Sequence, residues 1–346
     1  MTTNAAKTQQ RKAVILLSGG LDSRLAVKMM LEQGIALEAV NFVTAFCTCT
    51  AKGSCKSEAR KAAEEYGIPL KVLNATREIL AAIRDNKHGF GRGINPCLDC
   101  RISMLRRARA YMEESGADFI VTGEVWGERP MSQRPDAMHT IERESGLEDL
   151  IVRPLSAHLF EPSMPEREGW VDRGKLMAIA GRSRKPQIQL AADLGVGDYP
   201  CPAGGCLLCD RNFAARLRLL LDENPEPPLA DIQSLKHGRL FISSTGLKII
   251  VPRDEDETRR LESLAQPDDV VLSALGVMGP STVIKGGADK ASLAEAAALT
   301  VRYGQAREQE RVEVGWRRPG EENHEGQAIE VAAADGWRLA ETLKRL

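Results

Sequence analysis

The chain is short of aromatic residues: four Trp, four Tyr and seven Phe make up 4% of its 346 positions. Its cores must be built from aliphatic side chains, and an apolar content of 43% is enough to fill two domains at this length. It has no apolar run near the roughly 18–20 residues that a membrane span needs. The opening MTTNAAKTQQRK is polar and lacks the apolar middle of a secretory signal, so the expected compartment is the cytosol. Net charge is nearly absent: 47 Lys and Arg against 48 Asp and Glu give −1, which excludes a global basic field. Contacts to nucleic acid would have to come from local patches, such as Arg101–Arg109, Gly181–Pro186 or Arg216–Arg218. The plainer reading of each patch is a solvated helix face. No Gly-x-x-x-x-Gly-Lys-Ser/Thr is present, so a P-loop of the GTPase kind is excluded, and no internal repeat is visible.

What the chain does have is eight cysteines in three groups: Cys47, Cys49 and Cys55; Cys97 and Cys100; Cys201, Cys206 and Cys209. In a cytosolic chain such clustering points to metal or thiol chemistry rather than to structural disulfides.

Along the first half, short apolar runs alternate with helical patterns. The strands are AVILL, Ala36–Phe42, IPLKVLN, Asp118–Gly123 and DLIVRPL. The helices are Ser23–Gln33, SEARKAAEEYG and a long one over Cys97–Ser115, with RGKLMAIAG and PQIQLAADLG after the fifth strand. This alternation predicts an α/β doubly wound parallel sheet, with ligands outside the C-terminal strand ends, where Ser18, Cys97 and Gly123 would gather. Periodicity stops at Asn224–Asp231, NPEPPLAD. Beyond it a hairpin around Thr245-Gly246, further strands and two helices predict a small α+β domain. The expected division is a disordered 1–12, an ATPase-type domain 13–224, a linker 225–234 and a second domain 235–346.

Val14–Ala26, VILLSGGLDSRLA, runs from an apolar strand through a Gly-rich turn into a helix. Such a turn offers backbone N–H groups and the positive end of a helix to an anion. Gly19 and Gly20 let the chain turn tightly, Ser18 and Ser23 can donate hydroxyls, and Asp22 can cap the helix or help hold Mg²⁺. SGGLDS in this position resembles the PP-loop of the N-type ATP pyrophosphatases. The resemblance implies that Ser18, Gly19, Gly20, Asp22 and Ser23 bind the pyrophosphate part of ATP, and that a substrate oxygen is adenylated.

NPCLDCRISML sets Cys97 and Cys100 one turn apart at a helix start, a position that favours thiolate. With a later cysteine, this pair resembles the thiouridine synthetases of the PP-loop superfamily. GERPMSQ (Gly127–Gln133) and CPAGGCLL (Cys201–Leu208) resemble its ThiI-like and MnmA-like branch, over about Ala13–Asn224. The RNA-binding module that precedes the ATPase domain in full-length ThiI is not seen here. The resemblance implies a catalytic set of Asp22, Cys97, Cys100 and Cys206. Three readings of the thiols stay open: a [4Fe–4S] cluster on Cys97, Cys100 and Cys206; structural zinc on Cys97, Cys100, Cys206 and Cys209; or a persulfide on Cys206 resolved by Cys97 or Cys100. Cys201 and Cys209 are set aside, as are Cys47, Cys49 and Cys55 as loop cysteines. Gly123 and Glu124 follow the fourth strand, where related enzymes contact nucleotide or target base. Arg129, Ser132 and Gln133 form a donor-rich loop, Arg153 points to the same edge, and the lone His139 and His158 carry no role.

In the last third, Gly279–Thr282, a helix ending at Tyr303 and the strand Val312–Val314 resemble the RNA-binding NFACT-R domain. It would grip tRNA through Lys285, Arg302, Arg307, Arg317 and Arg318. The alternative is a packing or dimerisation domain, and with it a homodimer. Together the resemblances imply an ATP-dependent tRNA thiouridine synthetase using ATP and Mg²⁺, with sulfur from a cysteine desulfurase or free sulfide. Two other classes stay open: a PP-loop enzyme adenylating a small molecule, with structural zinc, and a non-catalytic RNA-binding protein with a relic loop.

Overall fold

The computed structural model describes residues 10–48, 55–197, 199–200, 205–321 and 327–346. Cys49, Cys201 and the Cys55 side chain lie outside the described residues, as does the N-terminus up to residue 9. The chain divides into two compact units, Met1–Cys209 and Asp210–Leu346.

The first unit runs β1 (Lys12–Leu16), α1 (Leu21–Glu32), β2 (Ala36–Val43), α2 (Cys55–Glu65), β3 (Leu70–Asn74), α3 (Thr76–Arg84), α4 (Cys97–Ser115), β4 (Phe119–Thr122), α5 (Pro135–Ser145), β5 (Ile151–Val152), α6 (Met164–Arg167) and α7 (Lys185–Asp193). Its five strands are all parallel, in the order β3-β2-β1-β4-β5. This is the α/β sheet expected from the strand–helix alternation. The apolar run of β1 is explained by burial on both faces. Ala13, Ile15 and Leu17 join one cluster with Leu21, Leu25 and Ala26 of α1, while Val14 and Leu16 join a second with Ile102 and Leu105 of α4. Burying Ile15 completely contributes about 1.5–3 kcal/mol. Strand order reverses on either side of β1, so its C-terminal end is the switch point at which open α/β sheets bind ligands.

Three local features differ from the sequence pattern. Helix α3 follows β3 directly, where Asn74 Oδ1 accepts from Thr76 N at 2.9 Å and Thr76, Ile79 and Ala82 are buried along one stripe. Helix α5 starts on Pro135, whose fixed φ suits a first helical turn. Conversely, RGKLMAIAG holds only a 3₁₀ turn at Arg173–Lys175. Its remainder is extended, because Met177 N donates to Pro154 O and Ile179 N to Leu155 O, both at 2.8 Å. Those bonds satisfy the chain leaving β5 and override a weak helical preference. At the other end Arg11 and Lys12, placed by sequence in a disordered start, are tied down. Arg11 stacks 3.9 Å over Trp170, and both residues hydrogen-bond the Asp118 carboxylate.

The second unit comprises α8 (Arg211–Glu223), α9 (Leu229–Ser234), β6 (Arg239–Ile242), β7 (Lys248–Val251), α10 (Glu255–Leu264), β8 (Val270–Ala274), β9 (Thr282–Lys285), α11 (Lys290–Tyr303), β10 (Arg311–Arg317), β11 (Ala328–Ala332), α12 (Ala333–Thr342) and β12 (Lys344–Arg345). Its seven strands form an antiparallel sheet in the order β11-β10-β8-β9-β7-β6-β12. Helix α11 packs Ala296, Ala297, Leu299 and Val301 against Phe241, Ile249, Leu272 and Ile284 of this sheet. Helix α8, which periodicity attaches to the first domain, falls in this unit. Its buried Arg216 donates to the carbonyls of Leu235 at 2.9 Å and of Leu346 at 2.7 Å. The basic candidates here have different fates. Lys285 is held by Asp231 at 2.7 Å and Asp269 at 2.5 Å, so it is a structural ion pair rather than a free phosphate contact. Arg302 stacks 3.4 Å from the Trp337 ring centroid, and Arg317 pairs with Glu262 at 3.5 Å. Arg307 and Arg318 are exposed.

Candidate active site

Ser18–Ser23 occupies the switch point between β1 and α1. Gly19 adopts φ +81°, and a Cβ there would lie 2.4 Å from the Glu58 carbonyl carbon, so only glycine fits between this turn and α2. Ser18 is exposed, and its Oγ lies 3.2 Å from Ser23 Oγ and 3.3 Å from the Gly20 N–H. The buried Arg24 braces the loop from below: its Nε donates to Gly19 O at 3.0 Å, and its guanidinium pairs with Glu65. Ser23 Oγ donates to Gly20 O at 2.9 Å, so the exposed Ser18 hydroxyl is the one turned outward at the positive end of α1, a position that suits an anion.

Asp22 does not cap its helix. Its Oδ1 is buried without a hydrogen-bond partner, and its carboxyl is pushed up to about 6. Burial is the main cause and Glu128 adds to it, while Arg184 and Arg129 oppose it. Glu128 and Arg129 of the GERPMSQ loop thus lie within electrostatic range of Asp22. Within that loop Gln133 accepts from Arg129 N at 3.0 Å and Gly127 N donates to Gln133 O at 2.7 Å, which fixes its curvature.

Gly123 closes the other side of the turn. A Cβ there would lie 2.7 Å from the Asp22 carbonyl carbon and the Ser23 nitrogen. The next residue, Glu124, is buried and receives Arg101 Nε at 2.9 Å, Arg153 Nε at 3.1 Å and Thr122 Oγ1 at 3.1 Å. Burial alone would raise its pKa, but the two arginines outweigh it and hold the carboxyl below the usual range. Arg153 also pairs with Glu142 and stacks 4.9 Å from the Phe160 ring. The sequence places Arg153 at this edge but carries no sign that Arg101 and Glu124 form one network with it.

The thiols meet where three segments converge. Helix α4 begins at Cys97, with Cys100 one turn on. Ile94 N donates to Leu208 O at 3.0 Å and Asn95 Nδ2 to Cys209 Sγ at 3.2 Å, fixing the 205–209 segment against the helix start. Cys206 forms an isolated antiparallel bridge with Cys47. The segments that carry Cys97, Cys100 and Cys206, which the sequence singles out, are thus neighbours. Cys47 and Cys209, which it sets aside, join them, because their contacts come from residues distant in the chain.

Helix position suggests thiolate, but burial dominates. It raises Cys97 despite a hydrogen bond with Ser132 and the charges of Arg101 and Arg129. Cys100 is pushed up to about 12 by burial first, then by Cys97 and Cys206. Cys206 is pushed up to about 11 by burial, then by Cys209, Cys47 and Cys97, although a backbone bond at Leu208 opposes the shift. The thiols are therefore protonated at neutral pH unless a positive group joins them. Among the described residues, no three His, Cys, Asp or Glu side chains converge as they would around one metal ion. The positive charge of Arg129 lowers both the Asp22 carboxyl and the Cys97 thiol against the effect of burial. His139 sits edge-on to Phe160, 6.4 Å between centroids, and takes no part in either group.

Residues 8–158 match the family model described as Thiamine biosynthesis protein (ThiI), and residues 238–339 match the NFACT protein RNA binding domain. The tRNA-specific 2-thiouridylase MnmA of Acinetobacter baylyi is 23% identical over 232 residues, covering 62% of this chain and 58% of that protein. The MnmA of Roseiflexus castenholzii is 26% identical over 254 residues, covering 66% of each. The chain thus spans somewhat less than two thirds of the length of these curated relatives. A solved 4-thiouridine synthetase–RNA complex with bound ATP aligns with 24% identity and a TM-score of 0.34, over 54% of this chain and 52% of that one. One chain therefore joins a ThiI-like α/β segment to an NFACT-R-like RNA-binding segment.

Proposed function

We propose that the protein is an ATP-dependent tRNA thiouridine synthetase. The observation that carries this reading is the packing of Gly123 against Asp22 and Ser23 together with the Arg101–Glu124 hydrogen bond, which ties the Gly-rich turn to the helix that bears Cys97 and Cys100. An adenylating enzyme without sulfur chemistry needs only the first. The ThiI model match and the MnmA relatives support the same reading, and the RNA-binding domain match supports tRNA as the partner.

In this mechanism Ser18, Gly19, Gly20 and Ser23 hold the β- and γ-phosphates of ATP. The uridine carbonyl oxygen attacks the α-phosphorus and pyrophosphate leaves, with its growing charge met by the loop N–H groups and hydroxyls. Asp22 Oδ1, buried without a donor, suits a cation, and it is the oxygen that would hold Mg²⁺ on the phosphates. Arg129 and Ser132 line the path from the adenylated base to Cys97. Sulfide then takes the place of the adenylate oxygen, releasing AMP. Gly123 and the Glu124–Arg101 pair keep the two halves in register, so that water is excluded and the adenylate meets sulfur first.

Cys97, Cys100 and Cys206 would hold a [4Fe–4S] cluster. The choice of a cluster over structural zinc follows the resemblance to thiouridine synthetases, and cysteine thiolates are the usual ligands of such a cluster. Held by these three residues, such a cluster would supply iron able to carry sulfide to the activated base. The sulfur comes from free sulfide or a cysteine desulfurase. None of the helices among the described residues is long and apolar enough to cross a membrane; the cytoplasm is the compartment proposed for this chemistry. Product analysis of ATP turnover tests the reading. AMP and pyrophosphate formed only with tRNA are expected; ADP and phosphate, or AMP formed equally without tRNA, would overturn it.

A further inference from the structure

Cys47 lies just beyond β2 and Cys206 just before the 3₁₀ turn Leu207–Cys209, and the two face each other as an antiparallel bridge. The flanking bonds identify the kind of pair. Leu207 N donates to Phe46 O at 2.9 Å, and Thr48 Oγ1 donates to Gly205 O at 2.8 Å. Both ties run between the neighbours of the two cysteines. In such a non-hydrogen-bonded pair the Cα atoms stand about 4.5 Å apart and the side chains leave the same face close together. Disulfides span Cα separations of about 4.4–6.8 Å, so this pair can close with its backbone already in place. Cys209, Cys47 and Cys97 all act on Cys206, but only Cys47 is set opposite it by strand pairing. Cys209 follows it in the same turn, and Cys97 belongs to a separate helix.

We propose that Cys47 and Cys206 form a reversible disulfide that withdraws Cys206 from the sulfur-transfer centre. The oxidant is a hydroperoxide. One thiol sulfur attacks its O–O bond and becomes a sulfenic acid, releasing water or an alcohol. The second sulfur then attacks the first, forming the S–S bond, and the hydroxyl leaves with the remaining thiol proton as water. Two electrons pass from the thiols to the hydroperoxide, and exchange with a dithiol returns them. The disulfide removes one of the three thiols assigned to the metal centre, so the oxidised protein cannot assemble it. That consequence rests on the function proposed above; the pairing itself does not.

The test uses the full chain, stripped of metal by a chelator, treated with stoichiometric hydrogen peroxide, alkylated and digested with trypsin for tandem mass spectrometry. Cys47 shares the tryptic peptide Met29–Lys52 with Cys49, and Cys206 shares its peptide with Cys201 and Cys209, so single variants assign the link. The cross-link is expected to persist in Cys49→Ser, Cys201→Ser and Cys209→Ser and to vanish in Cys47→Ser and Cys206→Ser. Peroxide-treated wild type is expected to lose uptake of ferrous iron and sulfide until dithiothreitol is added, whereas Cys47→Ser keeps its uptake. A link from Cys206 to Cys209 or Cys100, or sulfinic acid on Cys206 without a link, would overturn the proposal. Unchanged iron uptake by protein carrying the mapped Cys47–Cys206 bond would also overturn it. If the bond maps to Cys47 but neither redox form takes up iron, the pairing stands and the metal assignment fails.

Discussion

Glu124 Oε1 accepts a hydrogen bond from Arg101 Nε at 2.9 Å, which ties the residue after Gly123 to the residue after Cys100. Gly123 is itself pressed against Asp22 and Ser23, so one buried carboxylate stands between the Gly-rich turn and the helix that bears Cys97 and Cys100. Glu124→Gln keeps the shape but leaves Arg101 without this charge partner and the buried Arg153 with Glu142 alone. A loss of about 3–5 kcal/mol is expected in urea unfolding. The native pKa of Glu124 lies below its ordinary 4.5, so its stabilisation is complete above that value and is lost as pH falls through the native one. The variant should therefore show a shallower acid limb than wild type.

Asp22 has the opposite sign. Its carboxyl is raised from 3.8 to about 6, so the native state prefers the neutral form and stability falls as pH rises between those values. Asp22→Asn removes that cost. Without nucleotide or Mg²⁺, the variant should be more stable than wild type at pH 7.5, by up to roughly 3 kcal/mol before screening by solvent, and equal to it near pH 4. The same variant should lose Mg-ATP turnover. A variant destabilised at both pH values would contradict the reading of Asp22 as an uncompensated buried carboxyl.

Gly19 and Gly34 both adopt positive φ, but only Gly19 faces backbone, with nothing near Gly34 within 4 Å. Gly34→Ala should cost about 1 kcal/mol and leave nucleotide binding intact. Gly19→Ala must push the turn away from α2, and ATP binding by calorimetry should fall by at least about tenfold, a loss of about 1.4 kcal/mol.

In the second unit Lys285 and Arg318 separate structure from RNA recognition. Lys285→Met leaves Asp269 buried beside Asp231 without a cation, so thermal unfolding of this unit should shift down by several degrees. Arg318→Ala should leave that transition unchanged and weaken tRNA binding. It should reduce the slope of log affinity against log salt by about 0.7–0.9, the share of the single phosphate that Arg318 neutralises.

Much of this is legible in the sequence because the relevant forces are local or periodic. The β1 run reads as apolar because both sheet faces cover it, and α4 ends where Gly116 turns left-handed at φ +66°. The stretch Leu176–Ile179 reads as helix but is extended, because carbonyls of Pro154 and Leu155 claim its N–H groups, a demand set far away in the chain. Cys47 reads as a loop cysteine for the same reason: it is bridged to Cys206, and no spacing rule links them. Lys285 resembles a phosphate contact in the sequence, where the two carboxylates that surround it cannot be seen. The burial that protonates the thiols is likewise a tertiary property and outweighs the helix-end position visible in the sequence.

Thiouridine formation is the most direct measurement of the proposed chemistry. Anaerobic protein, reconstituted with iron and sulfide, would be given unmodified tRNA, ATP, Mg²⁺ and sulfide, with nucleosides identified by mass spectrometry and AMP counted alongside. A thiolated uridine appearing in step with AMP, and lost in both Ser18→Ala and Cys206→Ala, is the expected result. AMP released without any thiolated nucleoside, or thiolation undiminished in Cys206→Ala, would contradict it.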